Sequence, residues 1–337
     1  YKNNGRSMKT ALILVVLTFL LILYSTFLTR SGILGNTSVH AFTDLGMSGQ
    51  LLVYMGFFIV LSVILLIKRW KFISDGKEEE SINSREFWMY IGVLALIISC
   101  FQITFTTSIP VINKLFGTNL APPTDVIDHY NKWQLPIAVM LSVLIAVTQF
   151  FKYKTTDFKY FLKKIVPSFA FSLLVAGLSV WYLKLYHFHY FMLLWASIFA
   201  IAANMDYMVR IFKGKLRHSG ASIAHVGFGF ILLGSLISTS GSKVISRNNT
   251  NVDLGKELPS NENIMLVKGD TSVMGGYFVT YKGKKKEGVN VSYEIEYYKQ
   301  DEKSGKLNKQ FSLFPILQLN PNMGNVSEPD TRHFLDK

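Results

Sequence analysis

ALILVVLTFLLILYSTFL, residues 11–28, runs for eighteen residues without a charge. At 1.5 Å per residue, a helix of this length crosses most of a bilayer core about 30 Å thick. Its length, its aromatic content and the lack of a small-residue cleavage site separate it from a secretory signal peptide. Six further apolar runs follow, at Leu51–Ile67, Phe87–Thr107, Leu135–Phe151, Ile165–Leu183, Tyr190–Val209 and Ser222–Ser238. No charge sits at the centre of any run. Asp206, near one end, precedes Arg210 by four residues, the spacing of a local ion pair on a helix. The pattern predicts a polytopic α-helical membrane protein with seven transmembrane helices over residues 1–240.

Composition agrees with the pattern. Of 337 residues, 50% are hydrophobic and only 17% charged, against about 25% in soluble domains. The net charge of +13 might suggest nucleic acid, but its placement points to a bilayer. With the N-terminus inside, the inner segments hold 17 Lys and Arg, and the short outer loops hold 4 (Arg30, Lys114, Lys132 and Lys184). This asymmetry follows the positive-inside rule. Aromatic groups at run ends, among them Trp88, Tyr182 and Tyr190, read as interfacial belts. The single cysteine, Cys100, lies inside an apolar run, which excludes a disulfide framework, a CxxC redox pair and a Cys-based metal site.

Seven spans put the C-terminus outside. There the period changes. Tyr277, Val279 and Tyr281, then Val291, Tyr293, Ile295 and Tyr297, alternate with polar residues such as Ser292, Glu294 and Glu296. Gly275-Gly276 and Lys303-Ser304-Gly305 supply turns. Residues 241–337 are therefore expected to form an extracytoplasmic β-rich domain.

The seven histidines are the natural candidates for chemistry. His225 lies within the last apolar run, among Ala221, Ala224, Gly227 and Gly229. An ionisable group at membrane depth is costly. It serves either as a packing histidine bonded to a neighbouring helix or as an axial ligand to a flat macrocycle beside small residues. His40 is in the first outer loop, and Arg30, outside against the charge trend, either anchors the helix end or binds an anionic group. His187 and His189 read as belt residues and His218 as a solvated loop residue. His129 is placed in a long outer loop, Pro110 to Trp133, that forms part of an outer cavity. No pattern surrounds His333.

Ser25-Thr-Phe-Leu-Thr-Arg-Ser-Gly-Ile-Leu34 followed by Ser38-Val-His-Ala-Phe42 resembles the CcmF branch of the CcmF/CcsA family of cytochrome c biogenesis proteins. The Ala224-His-Val-Gly227 helix after a basic loop, and an outer β-domain after the last span, fit the same family. The resemblance implies a haem lyase of a bacterial cytoplasmic (inner) membrane, multi-pass, with its C-terminal domain in the periplasm. It implies that His40 ligates incoming haem and acts in its attachment, and that His225 is the second axial ligand of a resident haem b. It implies that Arg30 pairs with a haem propionate. The reaction is thioether attachment of haem to a CxxCH apocytochrome c. The implied partners are the apocytochrome c, a periplasmic haem chaperone and thiol-handling maturation subunits. The family's tryptophan-rich haem platform, its first outer histidine and its first intramembrane histidine would all precede Tyr1. Trp70, Trp88, Trp133, Trp181 and Trp195 are scattered and do not form that platform. The chain thus reads as the C-terminal part of a longer or split protein. The rival functions are a non-catalytic scaffold subunit of a haem-handling complex and a membrane transporter or flippase. Against the transporter, the spans lack central charges and Gly/Pro-broken helices.

Overall fold

The computed structural model describes residues 8–34, 46–73, 81–183, 185–248, 252, 255, 262–301, 304–319 and 325–334. The chain divides into two units, Tyr1–Gly241 and Ser242–Lys337.

The first unit is helical: α1 (Met8–Arg30), α2 (Ser48–Arg69), α3 (Arg85–Thr107), α4 (Ile109–Phe116), α5 (Val126–Val147), α6 (Phe158–Leu183), α7 (Phe188–Arg210) and α8 (Gly220–Gly241). Among the described residues, seven helices are long and apolar enough to cross a membrane, all but the short α4. Each begins before its apolar run, and at two of them a capping side chain sets the start. Ser84 caps α3 by accepting from the Phe87 amide at 3.1 Å. Asp125 caps α5 by accepting from the Asp128 amide at 2.8 Å, so the helix begins well before the apolar run at Leu135.

This changes one expectation. Pro110 to Trp133 is not one long loop. Pro110 sits in the first turn of α4, where its missing amide hydrogen costs nothing, and Gly117 closes that helix at φ 63°. His129 belongs to the first turn of α5.

Helix α7 is the centre of the bundle. Its buried face carries Leu193, Leu194, Ala196, Ser197, Ile198, Phe199, Ala200, Ala203 and Asn204. The many small residues let α5, α6 and α8 approach it closely. Gly229 of α8 shows the tightness. A Cβ there would stand 2.7 Å from Ile201 Cγ1 and 3.1 Å from the Ser197 carbonyl. Gly227, on another side of the same helix, faces open space. The expected pair of Arg210 and Asp206 is present, and Ser168 of α6 donates to Asp206 Oδ2 at 3.1 Å, so the pair also ties two helices. Helices α1 and α2 pack on each other, and Tyr24 of α1 donates to Ser108 Oγ at 2.6 Å, just after α3.

The second unit is an antiparallel sheet: β1 (Thr271–Met274), β2 (Tyr277–Glu287), β3 (Asn290–Gln300), β4 (Leu307–Leu313), β5 (Ile316–Gln318) and β6 (Val326–Glu328). Gly275 and Gly276, at φ 60° and 80°, form the first turn, and Gly288, at φ 61°, the second. Strand β3 pairs with β2 along one edge and with β4 and β5 in succession along the other. The break falls at Phe314-Pro315, where proline cannot donate to the ladder. Alternation works as the period requires: Met274, Val279 and Tyr297 form the core, with Ile295 and Phe311 against them.

The polar face holds one residue the alternation does not distinguish. Glu296 is only 8% exposed. It accepts from Lys309 and from the Tyr298 hydroxyl, and pairs with Lys282 at 3.3 Å. These bonds hold its carboxyl far below the usual carboxylate range, at about 2, with Lys309 the largest influence.

Two outcomes follow from this packing. Gly229→Ala should destabilise the helical unit by about 1–3 kcal/mol through overpacking, with Gly227→Ala nearly neutral. Thermal unfolding in detergent checks both, and equal effects would disprove the close approach. The depressed Glu296 carboxyl contributes stability above about pH 4.5, lost as pH falls toward about 2. Sheet unfolding of Glu296→Gln, followed against pH, should lack that loss.

Candidate functional site

His225 stands in the second turn of α8, half-buried. Its Nδ1 lies 3.2 Å from Asn204 Oδ1 on α7. The orientation of the Asn204 amide is forced by its other bonds. Nδ2 donates to the Ala200 carbonyl at 2.8 Å and to the Ile145 carbonyl of α5 at 3.2 Å. A flipped amide would set an oxygen against two oxygens, so Oδ1 must be the atom that meets the imidazole. An acceptor at Nδ1 requires that Nδ1 carry the hydrogen. The lone pair of the neutral ring is then on Nε2. Nε2 pairs with no protein group among the described residues.

The support extends toward the start of α8. Ser222, one turn earlier, is buried and donates to Gln149 Oε1 at 3.3 Å, in the 3₁₀ turn Thr148–Phe150 that ends α5. Gly229, one turn later, packs on α7. The face of α8 that turns away from α7 carries Ala224 and Gly227, both exposed, with open space where a Gly227 Cβ would stand. An imidazole nitrogen without a protein partner suits the metal of a flat macrocycle that takes a neutral nitrogen ligand.

The remaining candidates are dispersed. His40 lies outside the described residues. Arg30 is the exposed last residue of α1. Tyr24, late in α1, bonds to Ser108 at the end of α3, whereas the start of α3 is joined to Lys152 after α5 and Gln149 beside it to Ser222 of α8, which places Arg30 and His225 near opposite ends of the helical unit. No group of three or more His, Cys, Asp or Glu suited to a metal occurs among the described residues. His187 and His189 lie side by side at the start of α7, ring centroids 5.8 Å apart, both packed edge-on to Tyr190. His218 ends an exposed 3₁₀ turn. His333 is exposed.

Sequence reasoning missed two features. Asn204 is one, although an amide within an apolar run signals a buried bond to be satisfied. The other is a polar seam between α3 and α5. Gln134 accepts from Ser99 at 2.5 Å and donates to Gln102 Oε1 at 2.6 Å. His129 Nε2 then lies 3.2 Å from both Gln102 Nε2 and Thr106 Oγ1. His129 is therefore engaged in a helix–helix network.

No family model matches the chain, and no solved structure matches it. Two curated proteins do. The cytochrome c-type biogenesis protein CcmF of Pseudomonas aeruginosa is 24% identical over 307 residues, covering 86% of this chain and 42% of that protein. CcmF of Pseudomonas fluorescens is 26% identical over 315 residues, with the same shares. The chain is CcmF-like. It spans about two fifths of the length of the curated relatives it matches. Because 86% of the chain exceeds the helical unit alone, the CcmF-like stretch extends into both units.

In Asn204→Leu the imidazole loses its fixed acceptor, while Asn204→Asp keeps one. Nitrogen-15 spectra of histidine-labelled protein should show a single Nδ1–H tautomer at His225 in the parent and a mixture in Asn204→Leu. The same spectrum in both would disprove the lock.

Proposed function

We propose that the chain is a haem-handling portion of a cytochrome c maturation lyase of the CcmF type. The observation that carries the reading is the His225 imidazole, fixed through Nδ1 by a buried amide and left without a protein partner at Nε2 among the described residues. The CcmF similarity over 86% of the chain supports it. In this reading His225 Nε2 would hold the iron of a resident haem b, with Asn204 as its positioning residue. A haem bound there supplies a one-electron redox centre within the membrane. Asn204 holds the ring, and the apolar bundle would keep water from the group.

His40 is proposed to ligate the substrate haem on the outer face, with Arg30 pairing a propionate. The chemistry there is addition. Each cysteine S–H of a CxxCH peptide adds across a haem vinyl group, forming one C–S and one C–H bond with no net oxidation. Little acid–base machinery is required, and the gain comes from holding both reactants in place. The substrate is an apocytochrome c. A periplasmic haem chaperone and thiol-handling subunits are the proposed partners, and the β-sheet unit is their proposed docking module. The proposed setting is the bacterial inner membrane, with that unit in the periplasm.

Optical spectra of the purified protein, oxidised and reduced, test the resident site. With haem supplied during expression, the parent should show a b-type spectrum that weakens or turns high-spin in His225→Ala. Absence of haem from the parent would overturn the assignment and favour a scaffold or a transporter. Substituting His40→Ala should abolish thioether formation while leaving the b-type spectrum in place.

A further inference from the structure

Arg85 opens α3 at the end of the bundle where α8 begins, since both helix starts meet the segment that ends α5. The positive end of the helix dipole is there, so a cation gains nothing from the helix. Arg85 is half-buried, and no carboxylate pairs with it among the described residues. Its amide donates to the Lys152 carbonyl at 2.9 Å, which joins the start of α3 to the segment after α5. Together they border a cavity of about 330 Å³. Gln149, Tyr160 and Tyr207 also line it, and it contains no acidic side chain. The Tyr160 and Tyr207 hydroxyls have no hydrogen-bond partner among the described residues. The Lys152 ammonium lies 5.3 Å from the centroid of the Tyr160 ring. Two cationic side chains and two hydroxyls thus border a space large enough for a small ionised group. Gln149 links that space to the proposed haem site, because its Oε1 accepts from Ser222, one turn before His225.

We infer that this cavity binds an oxyanion, held by the Arg85 guanidinium fork with the two tyrosine hydroxyls as neutral donors. Planar guanidinium presents paired N–H groups that match both carboxylate and phosphate. Two sources carry that chemistry at this depth. One is a propionate of the haem at His225, which rests on the function proposed above. The other is the phosphate of an anionic lipid headgroup, which does not.

The test uses the purified protein with Arg85→Leu, Arg85→Lys and His225→Ala, each first shown to unfold at the parent temperature. Haemin titration and redox titration against pH read the first source. Native mass spectrometry after exchange into phosphatidylglycerol reads the second. If a propionate is held, Arg85→Leu should weaken haemin binding by about tenfold to a hundredfold and flatten the pH dependence of the midpoint potential. Arg85→Lys should restore part of each. If a lipid phosphate is held, Arg85→Leu should lose bound phosphatidylglycerol, and His225→Ala should keep it. Parent-like haemin binding and lipid retention in Arg85→Leu would overturn the inference. Failure of the haem reading appears separately, as haemin binding that His225→Ala does not change.

Discussion

The helical unit depends on one constraint: an amide buried among apolar helices must satisfy every one of its hydrogen-bonding atoms. Asn204 is 0% exposed and meets this by joining three helices. Its nitrogen is divided between its own helix and α5, and its oxygen is left for α8. A buried donor or acceptor without a partner would cost about 1–3 kcal/mol. The arrangement of α5, α7 and α8 and the orientation of the His225 ring therefore stand or fall together. The side chain that positions the candidate ligand also holds the bundle.

The same economy recurs elsewhere in the unit. Ser142 and Ser197 return their hydroxyls to carbonyls one turn back, and Ser168 reaches the Asp206–Arg210 pair. In each case a small side chain allows close helix approach, and its polar atom is used locally. The seam from Ser99 through Gln134 and Gln102 to His129 does this between α3 and α5 with longer side chains. It explains why a histidine near a helix end is spoken for, whereas His225, bonded through one nitrogen only, is not. The sheet unit solves the problem by charge. Glu296 is buried on the nominally polar face, where Lys309, Lys282 and Tyr298 surround it.

Much was legible in the sequence because bilayer thickness and strand pleat impose lengths and periods that no tertiary contact can relax. Apolar runs of membrane-spanning length announced the seven long helices. The Tyr277 to Tyr297 alternation announced the sheet, and His225 stood out as an ionisable group at depth. Helix ends were less legible, because Asp125 and Gly117 act through local caps that hydropathy does not register. That is how His129 came to be assigned to a loop.

Sequence by itself determined the class of protein, the candidate ligand and the CcmF resemblance, since each resides in composition, period or a contiguous motif. Only the tertiary structure decided which nitrogen of His225 is open, that Asn204 holds the other, and that Arg85 and two tyrosines meet at one cavity. Those residues are tens of positions apart, on helices whose relative rotation is set by packing small side chains such as Gly229 and Ala200. No one-dimensional pattern encodes the direction in which a side chain at a given turn will finally point.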